Sequence, residues 1–355
     1  MYNQRSGSAR NASPRSPRNC QSNGVTNAVR PDRLDRITPS DIGRRVVVRY
    51  RLRDGGQATD VLGRLEAWDD RTLSVRRADG ETVDVPTADV VAAKIVPPRP
   101  VVRREVRALE AAAALGWQAV ETSWIGGWLL RAAGGFTGRA NSCLPLSSPG
   151  LPFAKAVAQV ERWYSARELM PAFQIPAPLS AGLDDFLDRA GWPAATEDVL
   201  VMVADVEALA ALLRTDLPTV TITSEPDAAW LAAYHYRGSV LPPGALQVLV
   251  NADAVSFGSV EQAGRRVTVA RGAVSEGPDG RRWLGLTAVE VASEARGRGL
   301  ARQVMAGIAQ WARRHGATDV YVQVAEPNAT AVGMYLRLGF TEHHRYHYRR
   351  RPPRS

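Results

Sequence analysis

One segment constrains the fold of this 355-residue chain more than any other, namely WLGLTAVEVASEARGRGLARQVMAGIAQWARRHGA at residues 283–317. Its first nine residues, 283–291, are mostly apolar and β-branched, which predicts a strand. After a glycine-rich turn, Leu300, Val304 and Ile308 recur on one helical stripe. The helix closes with two arginines, a histidine and a glycine, residue types that suit a helix C-terminus. A strand that runs through a tight turn into a helix predicts a mixed architecture of strands and helices.

The turn between that strand and helix has the properties of an anion site. Gly297 and Gly299 allow backbone amides to approach a ligand closely, and the first amides of the helix have no internal partner. The helix dipole favours a pyrophosphate there, and Arg296 and Arg298 add full positive charges. The turn does not match the dinucleotide fingerprint, because its third glycine would fall at Arg302, and no Lys-Ser or Lys-Thr follows as in a P-loop.

A second motif follows at a fixed separation. The segment TDVYVQV at 318–324 alternates apolar residues and predicts a strand, which is followed by EPNATAVGMYLRLGFTE. Asn328 is a favourable N-cap residue, and Tyr335 lies seven residues later, two turns along the same helix face. The pair Gly339-Phe340 closes the helix.

Together, R-G-x-G-L-A and N-x-x-A-x-x-x-Y-x-x-x-G-F resemble the GNAT (Gcn5-related N-acetyltransferase) superfamily, closely over residues 284–340 and in element order over 218–347. The resemblance implies that acetyl-CoA is the co-substrate and that no metal takes part. It also implies that Tyr335 donates a proton to the departing thiolate and that the Val291 amide polarises the thioester carbonyl. The residues that it implies in coenzyme binding are Val289, Val291, Arg296, Gly297, Arg298, Gly299, Leu300, Ala301 and Asn328.

The general base is less constrained by these motifs. Glu290 lies on the strand that runs beside the coenzyme, and its side chain points opposite to those of Val289 and Val291, so it is our candidate, acting directly or through water. Many enzymes of the superfamily use another carboxylate or a chain of waters, so these alternatives stay open. Three histidines near the last strand are expected to be solvated, although they could line the acceptor side: His343, His344 and His347.

An internal repeat predicts a second copy of this fold. A gap-free offset of 148 residues overlays Trp163 on Trp311, Leu187 on Tyr335 and Gly191 on Gly339. The first copy has LPLSSPGLP in place of the glycine-arginine turn, so residues 101–205 are predicted to be a degenerate GNAT-like domain, a scaffold or acceptor wall. Its polar, glycine-rich segment GGFTGRANS (134–142) lies where acceptor loops could sit.

The N-terminal third is different in character. Five short β-rich runs within residues 38–97 predict a small SH3-like β-barrel, a type of module that more often docks a partner than catalyses a reaction. The segment PPRP at 97–100 reads as a stiff linker. The fold prediction is therefore α+β or α/β: tandem GNAT folds, each a mixed sheet flanked by helices, after a small barrel. This order resembles actinobacterial GNAT proteins with an SH3-like N-terminal domain, some of which are labelled histone-type acetyltransferases.

The positive charge lies mainly at the ends of the chain. The formal net charge is +9, but residues 1–33 and 343–355 each contribute +5, which leaves the body near neutrality. We predict a disordered basic tail at 1–33 and a basic tail at 348–355, with at most weak nucleic-acid contacts. Two cysteines and no apolar stretch near 20 residues favour a cytoplasmic protein without a membrane span or disulfide framework.

These observations predict an N-acetyltransferase that moves an acetyl group from acetyl-CoA to a primary amine by direct attack in a ternary complex. The amine acceptor, a small molecule or a protein amine, is not specified by the sequence, because acceptor pockets are built from variable loops. Two alternatives stay open. One is a regulatory protein that binds acyl-CoA without turnover, and the other is an acyltransferase that builds a small thiol or amino-sugar metabolite.

Overall fold

The computed structural model describes residues 37–52, 56–77, 80–96, 100–195, 197–235, 241–242 and 244–351. The chain divides into two compact units, Met1–Pro100 and Val101–Ser355. The tail predicted at 1–33 and most of the linker predicted at 97–100 lie outside the described residues.

The first unit is an antiparallel sheet whose strands match the five predicted runs. The strands are β1 (Arg45–Arg51), β2 (Ala58–Trp68), β3 (Thr72–Arg76), β4 (Thr82–Pro86) and β5 (Val90–Ile95). Alternate residues such as Val46, Val48 and Leu65 are fully buried, as a half-exposed sheet requires. The spatial order is β4-β3-β2-β1-β5. Because Pro86 and Val90 are only four residues apart, the two edges lie within about 14 Å at one end. No ladder joins β4 to β5 among the described residues, so the sheet of the predicted small barrel is open.

The second unit begins with an Ala-rich helix, after which strands and helices follow one another. Its first part contains α1 (Arg103–Gly116), β6 (Glu121–Ile125), β7 (Trp128–Ala132), β8 (Leu144–Pro145), α2 (Phe153–Ser165), β9 (Ala172–Pro176), α3 (Ala181–Arg189), β10 (Val199–Asp205) and α4 (Val206–Ala210). Its second part contains β11 (Val220–Thr223), α5 (Ala228–Ala233), α6 (Ala245–Val250), β12 (Ala254–Gln262), β13 (Arg265–Glu276), β14 (Arg282–Val291), α7 (Leu300–Arg314), β15 (Asp319–Ala325), α8 (Ala329–Arg337) and β16 (Thr341–Arg350).

The two parts share one sheet by exchanging their last strands. The eight-stranded sheet has the order β11-β12-β13-β14-β15-β10-β16-β9. Strand β10, the last of the first part, pairs with β15 of the second part, while β16, the last of the second part, pairs with β9 of the first. A parallel bridge between Cys143 and Phe173 links the small sheet β6-β7-β8 to β9. The boundary predicted between 101–205 and 218–347 therefore falls inside a single compact unit.

The predicted offset of 148 residues relates the helices and strands of the two parts as well as their matching residues. It carries Ala181–Arg189 onto Ala329–Arg337, so that both ends of α3 coincide with both ends of α8. It also carries α2 onto the middle of α7 and β9 onto β15. The parallel pairing of β14 with β15 has its counterpart in the parallel bridge beside β9. The exchanged strands thus relate the two parts by an approximate internal symmetry.

Side chains of β16 anchor that exchanged strand in the first part. His344 is buried and its Nε2 lies 2.8 Å from Oε1 of Glu110, and His347 Nε2 lies 3.0 Å from Oδ1 of Asp184. Arg349 donates to Asp184 at 2.5 Å and to Asp188 at 2.8 Å. Residues 348–350, predicted as part of a basic tail, therefore belong to the sheet. The expectation that these histidines are solvated is also wrong, because pairing with β9 and β10 places them against α1 and α3.

We expect Asp184 to contribute to holding β16 against α3. Asp184→Asn removes the carboxylate charge that pairs with the buried Arg349. The free energy of unfolding, measured by chemical denaturation, should therefore fall by about 2 kcal/mol. Asp188→Asn is the matched control on the same helix, facing the same arginine. Its side chain is 72% exposed, so the loss should stay below about 1 kcal/mol.

The stabilisation by Asp184 should depend on pH in a defined direction. Burial alone would raise the pKa of Asp184, but hydrogen bonds from Arg349 and His347 lower the pKa below its ordinary value of 3.8. A carboxyl group with a lowered folded-state pKa contributes stability above its ordinary pKa and loses that contribution as the pH falls through the lower value. The difference in free energy of unfolding between wild type and Asp184→Asn should therefore become smaller below pH 3.8. Equal destabilisation by both variants at neutral pH would contradict the assignment.

Candidate active site

The ladder between β14 and β15 ends early and opens a gap. The last paired residues are Leu286 and Val322, although β14 continues to Val291 and β15 to Ala325. On its other side, β14 carries a bulge, because Ala288 and Val289 together oppose a single residue of β13. A bulge leaves backbone groups unpaired. Backbone polar groups of β14 are thus available beside the gap.

Ala288 is strained at this bulge. Its φ is 51°, in the left-handed region where a side chain is disfavoured by about 1 kcal/mol or more. Such a conformation persists only where the surrounding structure imposes it, and backbone outliers of this kind cluster at functional sites. The strain marks the bulge as a candidate part of the site.

The turn after β14 has the geometry that the motif predicted. Gly297 and Gly299 have φ values of 74° and 78°, which explains why glycine stands at both positions. Gly299 is the N-cap of α7, and the first internal hydrogen bond of the helix joins the Gln303 amide to the Gly299 carbonyl. The amides of Leu300 and Ala301, which come before it, have no helical acceptor. They are available to an anion at the positive end of a fifteen-residue helix.

Helix α8 presents the two residues of the second motif. The Asn328 side chain caps the helix by accepting from the Ala331 amide at 3.1 Å. Tyr335 is only 8% exposed, and its ring packs against Phe340 with centroids 5.4 Å apart. Burial raises the pKa of Tyr335 to about 12. Within the described part of the chain, its hydroxyl has no hydrogen-bond partner.

A cleft of about 1440 Å³ brings these elements together. It is lined by every predicted site residue except Arg298: Tyr335, Glu290, Val289, Val291, Arg296, Gly297, Gly299, Leu300, Ala301 and Asn328. Arg298 is exposed in the same turn. The volume exceeds the several hundred cubic ångströms typical of a small-molecule pocket, so the cleft can take an extended ligand.

Four further arginines line the cleft, and the motifs did not single them out: Arg265, Arg266, Arg302 and Arg337. Arg302 is the most informative, because its Nε is buried and has no hydrogen-bond partner among the described residues. A buried donor without a partner is costly, and an anion in the cleft would satisfy it. A sequence signal existed, since an arginine in the first turn of a helix can reach an anion held at that helix N-terminus. In the sequence motifs, Arg302 figures only as the residue that breaks the dinucleotide fingerprint.

Glu290 faces the cleft near the end of α5. Its Oε2 accepts from the backbone amide of His235 at 2.9 Å and lies 3.3 Å from the Nδ1 of that histidine. The Glu290 side chain is 29% exposed. The carboxylate is therefore oriented by a fixed donor and still reachable, two residues along β14 from the strained Ala288.

A second cavity, of 420 Å³, lies beside the same bulge. Ala288 lines this cavity, whereas its neighbour Val289 lines the cleft. Gln323 and Ala325 of β15 line it from across the gap, and Thr137 and Arg139 come from the glycine-rich segment predicted to lie on the acceptor side. Its other lining residues come from distant parts of the chain, so no local motif could have predicted them.

The first part of the unit differs at the equivalent turn. Helix α2 begins after Pro152, without the two glycines and arginines, and Leu187 is fully buried where α8 presents Tyr335.

No group of three or more His, Cys, Asp or Glu side chains in the described residues is arranged to hold a metal ion. Among the described helices, none is long and apolar enough to cross a membrane.

The fold is that of the GNAT class of N-acetyltransferases. A solved structure of a GCN5-related N-acetyltransferase from Kribbella flavida superposes with a TM-score of 0.52 at 15% identity, covering 72% of this chain and 98% of that one. A likeness at this identity defines the architecture.

Sequence comparison identifies the family. The model described as "Probable histone acetyltransferase Rv0428c C-terminal" matches residues 104–349, and that described as "Rv0428c N-terminal Sm-like domain" matches 40–94. The chain belongs to this family of GNAT-type N-acetyltransferases. The N-terminal unit is accordingly Sm-like, which corrects the SH3-like prediction.

Individual relatives agree with this assignment. "Probable histone acetyltransferase Rv0428c" of Mycobacterium tuberculosis is 36% identical over 315 residues, covering 86% of this chain and 94% of the relative. "Uncharacterized N-acetyltransferase YobR" of Bacillus subtilis is 28% identical over 248 residues, covering 69% and 98%.

Proposed function

We propose that the chain transfers an acetyl group from acetyl-CoA directly to a primary amine, with no covalent enzyme intermediate. The observation that carries this proposal is that the glycine-arginine turn, the end of β14 and Tyr335 all border one cleft. An acyl-CoA needs these three features together: an anion site, exposed strand backbone and a proton donor for its sulfur.

The residues of the cleft fit the coenzyme. The free amides at the start of α7 and the charges of Arg296, Arg298 and Arg302 suit a pyrophosphate. The unpaired backbone of β14, at Val289 and Val291, suits the amide-bearing arm, which can hydrogen-bond as an added strand does. In this proposal Asn328 also contacts that arm, and the Val291 amide donates to the thioester oxygen as charge develops there.

Tyr335 is proposed as the donor to the departing sulfur. With a pKa of about 12, its phenol stays protonated at neutral pH. Its hydroxyl makes no competing hydrogen bond among the described residues, so it is free to donate to the thiolate as the carbon–sulfur bond breaks.

Glu290 is proposed as the base that takes the proton from the attacking amine. The fixed hydrogen bond from the His235 amide orients the carboxylate, and its partial exposure leaves a route for an intervening water. Glu197, an exposed residue that lines the second cavity, is a second candidate carboxylate.

Retention of both the anion-binding turn and Tyr335 favours an enzyme over a sensor of acyl-CoA. The same chemistry would also serve an acyltransferase that builds a small thiol or amino-sugar metabolite. Docking of a partner by the Sm-like unit and a cytoplasmic location are proposals that rest on the sequence alone.

Coenzyme binding is tested by thermal stabilisation. A ligand at one hundred times its Kd stabilises the folded state by about 2.7 kcal/mol, so CoA should raise the Tm clearly. Arg302→Gln should weaken CoA binding about tenfold or more, the usual effect of losing a hydrogen bond to a charged group. Arg313→Gln, at the exposed opposite end of α7, is the matched control and should bind CoA normally. Absence of any shift with the wild type would overturn the proposed function.

Tyr335→Phe tests the donor to sulfur. We expect kcat to fall by about 10²- to 10⁴-fold, because the hydroxyl acts on the leaving group during the reaction. The CoA-induced Tm shift should be preserved, since the ring packing against Phe340 remains. Steady-state kinetics measures the first quantity, and an unchanged kcat would remove Tyr335 from the mechanism.

Glu290→Gln tests the base. The amide oxygen of glutamine can still accept from His235, so the fold should be unaffected while kcat/KM falls by about 10²-fold or more. Glu290→Asp should recover part of the rate, because it restores a carboxylate. If Glu290→Gln keeps wild-type kcat/KM, the base lies elsewhere, with Glu197 the next candidate.

A further inference from the structure

The 420 Å³ cavity adjoins the bulge of β14, which also borders the proposed coenzyme cleft. Consecutive residues of β14, Ala288 and Val289, line this cavity and the coenzyme cleft respectively. The two spaces therefore approach each other at the bulge of β14. Its volume falls within the range of small-molecule pockets. The inference that follows rests on the proposed acetyl transfer.

Arg139 gives the cavity a site for an anion. One of its terminal nitrogens donates to Oε1 of Gln323 at 2.6 Å, and its guanidinium carbon lies 5.0 Å from the centre of the Trp117 ring. No carboxylate forms an ion pair with Arg139 among the described residues. Its other N–H groups are therefore available to a ligand, and a planar guanidinium binds a carboxylate well.

A second arginine reinforces this positive wall from behind. Arg271 is fully buried, and its guanidinium carbon also lies 5.0 Å from the Trp117 ring. It donates to the carbonyl oxygens of Leu249 and Gly116, but one terminal nitrogen has no partner and no carboxylate neutralises it in the described part of the chain. Burial lowers the pKa of Arg271 to about 9, so it is still charged at neutral pH.

The remaining wall is aromatic and closely fitted. Tyr234, Tyr346 and Tyr348 line the cavity together with Trp117. A Cβ on Gly138 would come within 2.7 Å of the Tyr348 ring, so glycine at that position lets the loop lie flat against the ring. Aromatic faces of this kind pack against an apolar or aromatic body. Arg139 and Arg350 outnumber the single acidic lining residue, Glu197.

We propose that the acceptor is a small primary amine with an apolar or aromatic body and a carboxylate, and that Arg139 binds this carboxylate in the cavity. The amine nitrogen forms a bond to the acetyl carbonyl carbon while the carbon–sulfur bond breaks. The electron pair leaves with the CoA thiolate, and the amine proton passes to the base. A basic peptide fits poorly, because the cavity wall already carries uncompensated positive charge.

Matched pairs of acceptors test this assignment directly. Tryptophan is compared with tryptamine, and phenylalanine with phenethylamine, by following CoA release, and a lysine-containing basic peptide is assayed alongside. The members that carry a carboxylate should have kcat/KM values at least about tenfold higher, chiefly through KM. Arg139→Gln should abolish that preference and leave the decarboxylated amines within about threefold of wild type. Arg139→Lys keeps the charge but loses the planar guanidinium, so its preference for amines with a carboxylate should lie between those of the wild type and Arg139→Gln.

Controls separate this inference from the proposed function. Arg189→Gln, an exposed arginine on α3 outside both cavities, should behave as wild type in every assay. Each variant must also keep the CoA-induced Tm shift, which reports an intact coenzyme cleft. A wild type that CoA does not stabilise would overturn the acetyltransferase proposal itself.

If CoA binds but the matched amines react equally or the basic peptide is preferred, the assignment of the acceptor is wrong, whereas the acetyltransferase proposal is not overturned. Binding of the acetylated products to the CoA complex decides the case in which no tested amine turns over. N-acetyltryptophan should then bind at least about tenfold more tightly than N-acetyltryptamine, and lose this advantage in Arg139→Gln. Equal binding of the two products would overturn the assignment.

Discussion

The interrupted ladder of β14 is the constraint on which the rest of the site depends. A continuous sheet would satisfy every backbone group of this strand and leave no space beside it. Instead, the bulge at Ala288 and the loss of pairing with β15 after Leu286 open the sheet at one point. The cleft and the smaller cavity are both lined by residues at this opening. A disfavoured backbone conformation can persist there because α7, β13 and the core beneath them hold the strand in place.

Strand exchange explains why a copy without its own anion-binding turn is retained. Strand β10 occupies the position between β15 and β16, so the second copy cannot complete its sheet without the first. In return, β16 closes the first copy through β9 and through ion pairs to α3. The degenerate copy also supplies Trp117 and Arg139 beside the bulge. Its contribution is therefore structural support and one wall of the smaller cavity, while its role as an acceptor wall stays a prediction.

The local geometry of the cleft was predictable because its parts are close in sequence. The turn at 296–301 and helix α8 are specified by local rules: glycine where φ is positive, an asparagine that caps a helix, and a seven-residue spacing that keeps Tyr335 on one face. Errors arose where long-range pairing decides the outcome. His344 and Arg349 look solvated in the sequence, yet exchange of β16 buries them. The sequence shows that residue 302 is an arginine, but only the packing shows that its Nε lacks a hydrogen-bond partner among the described residues.

The sequence by itself determined the class of fold, the repeat and the residues that line the cleft, since hydrophobic period, turn chemistry and motif spacing act over a few tens of residues. The tertiary structure alone decided which residues line the smaller cavity beside the bulge. Trp117, Arg139, Ala288 and Tyr348 come from four separate segments and converge only after the last strands have been exchanged. Their joint charge and shape depend on that long-range pairing, which no local pattern encodes.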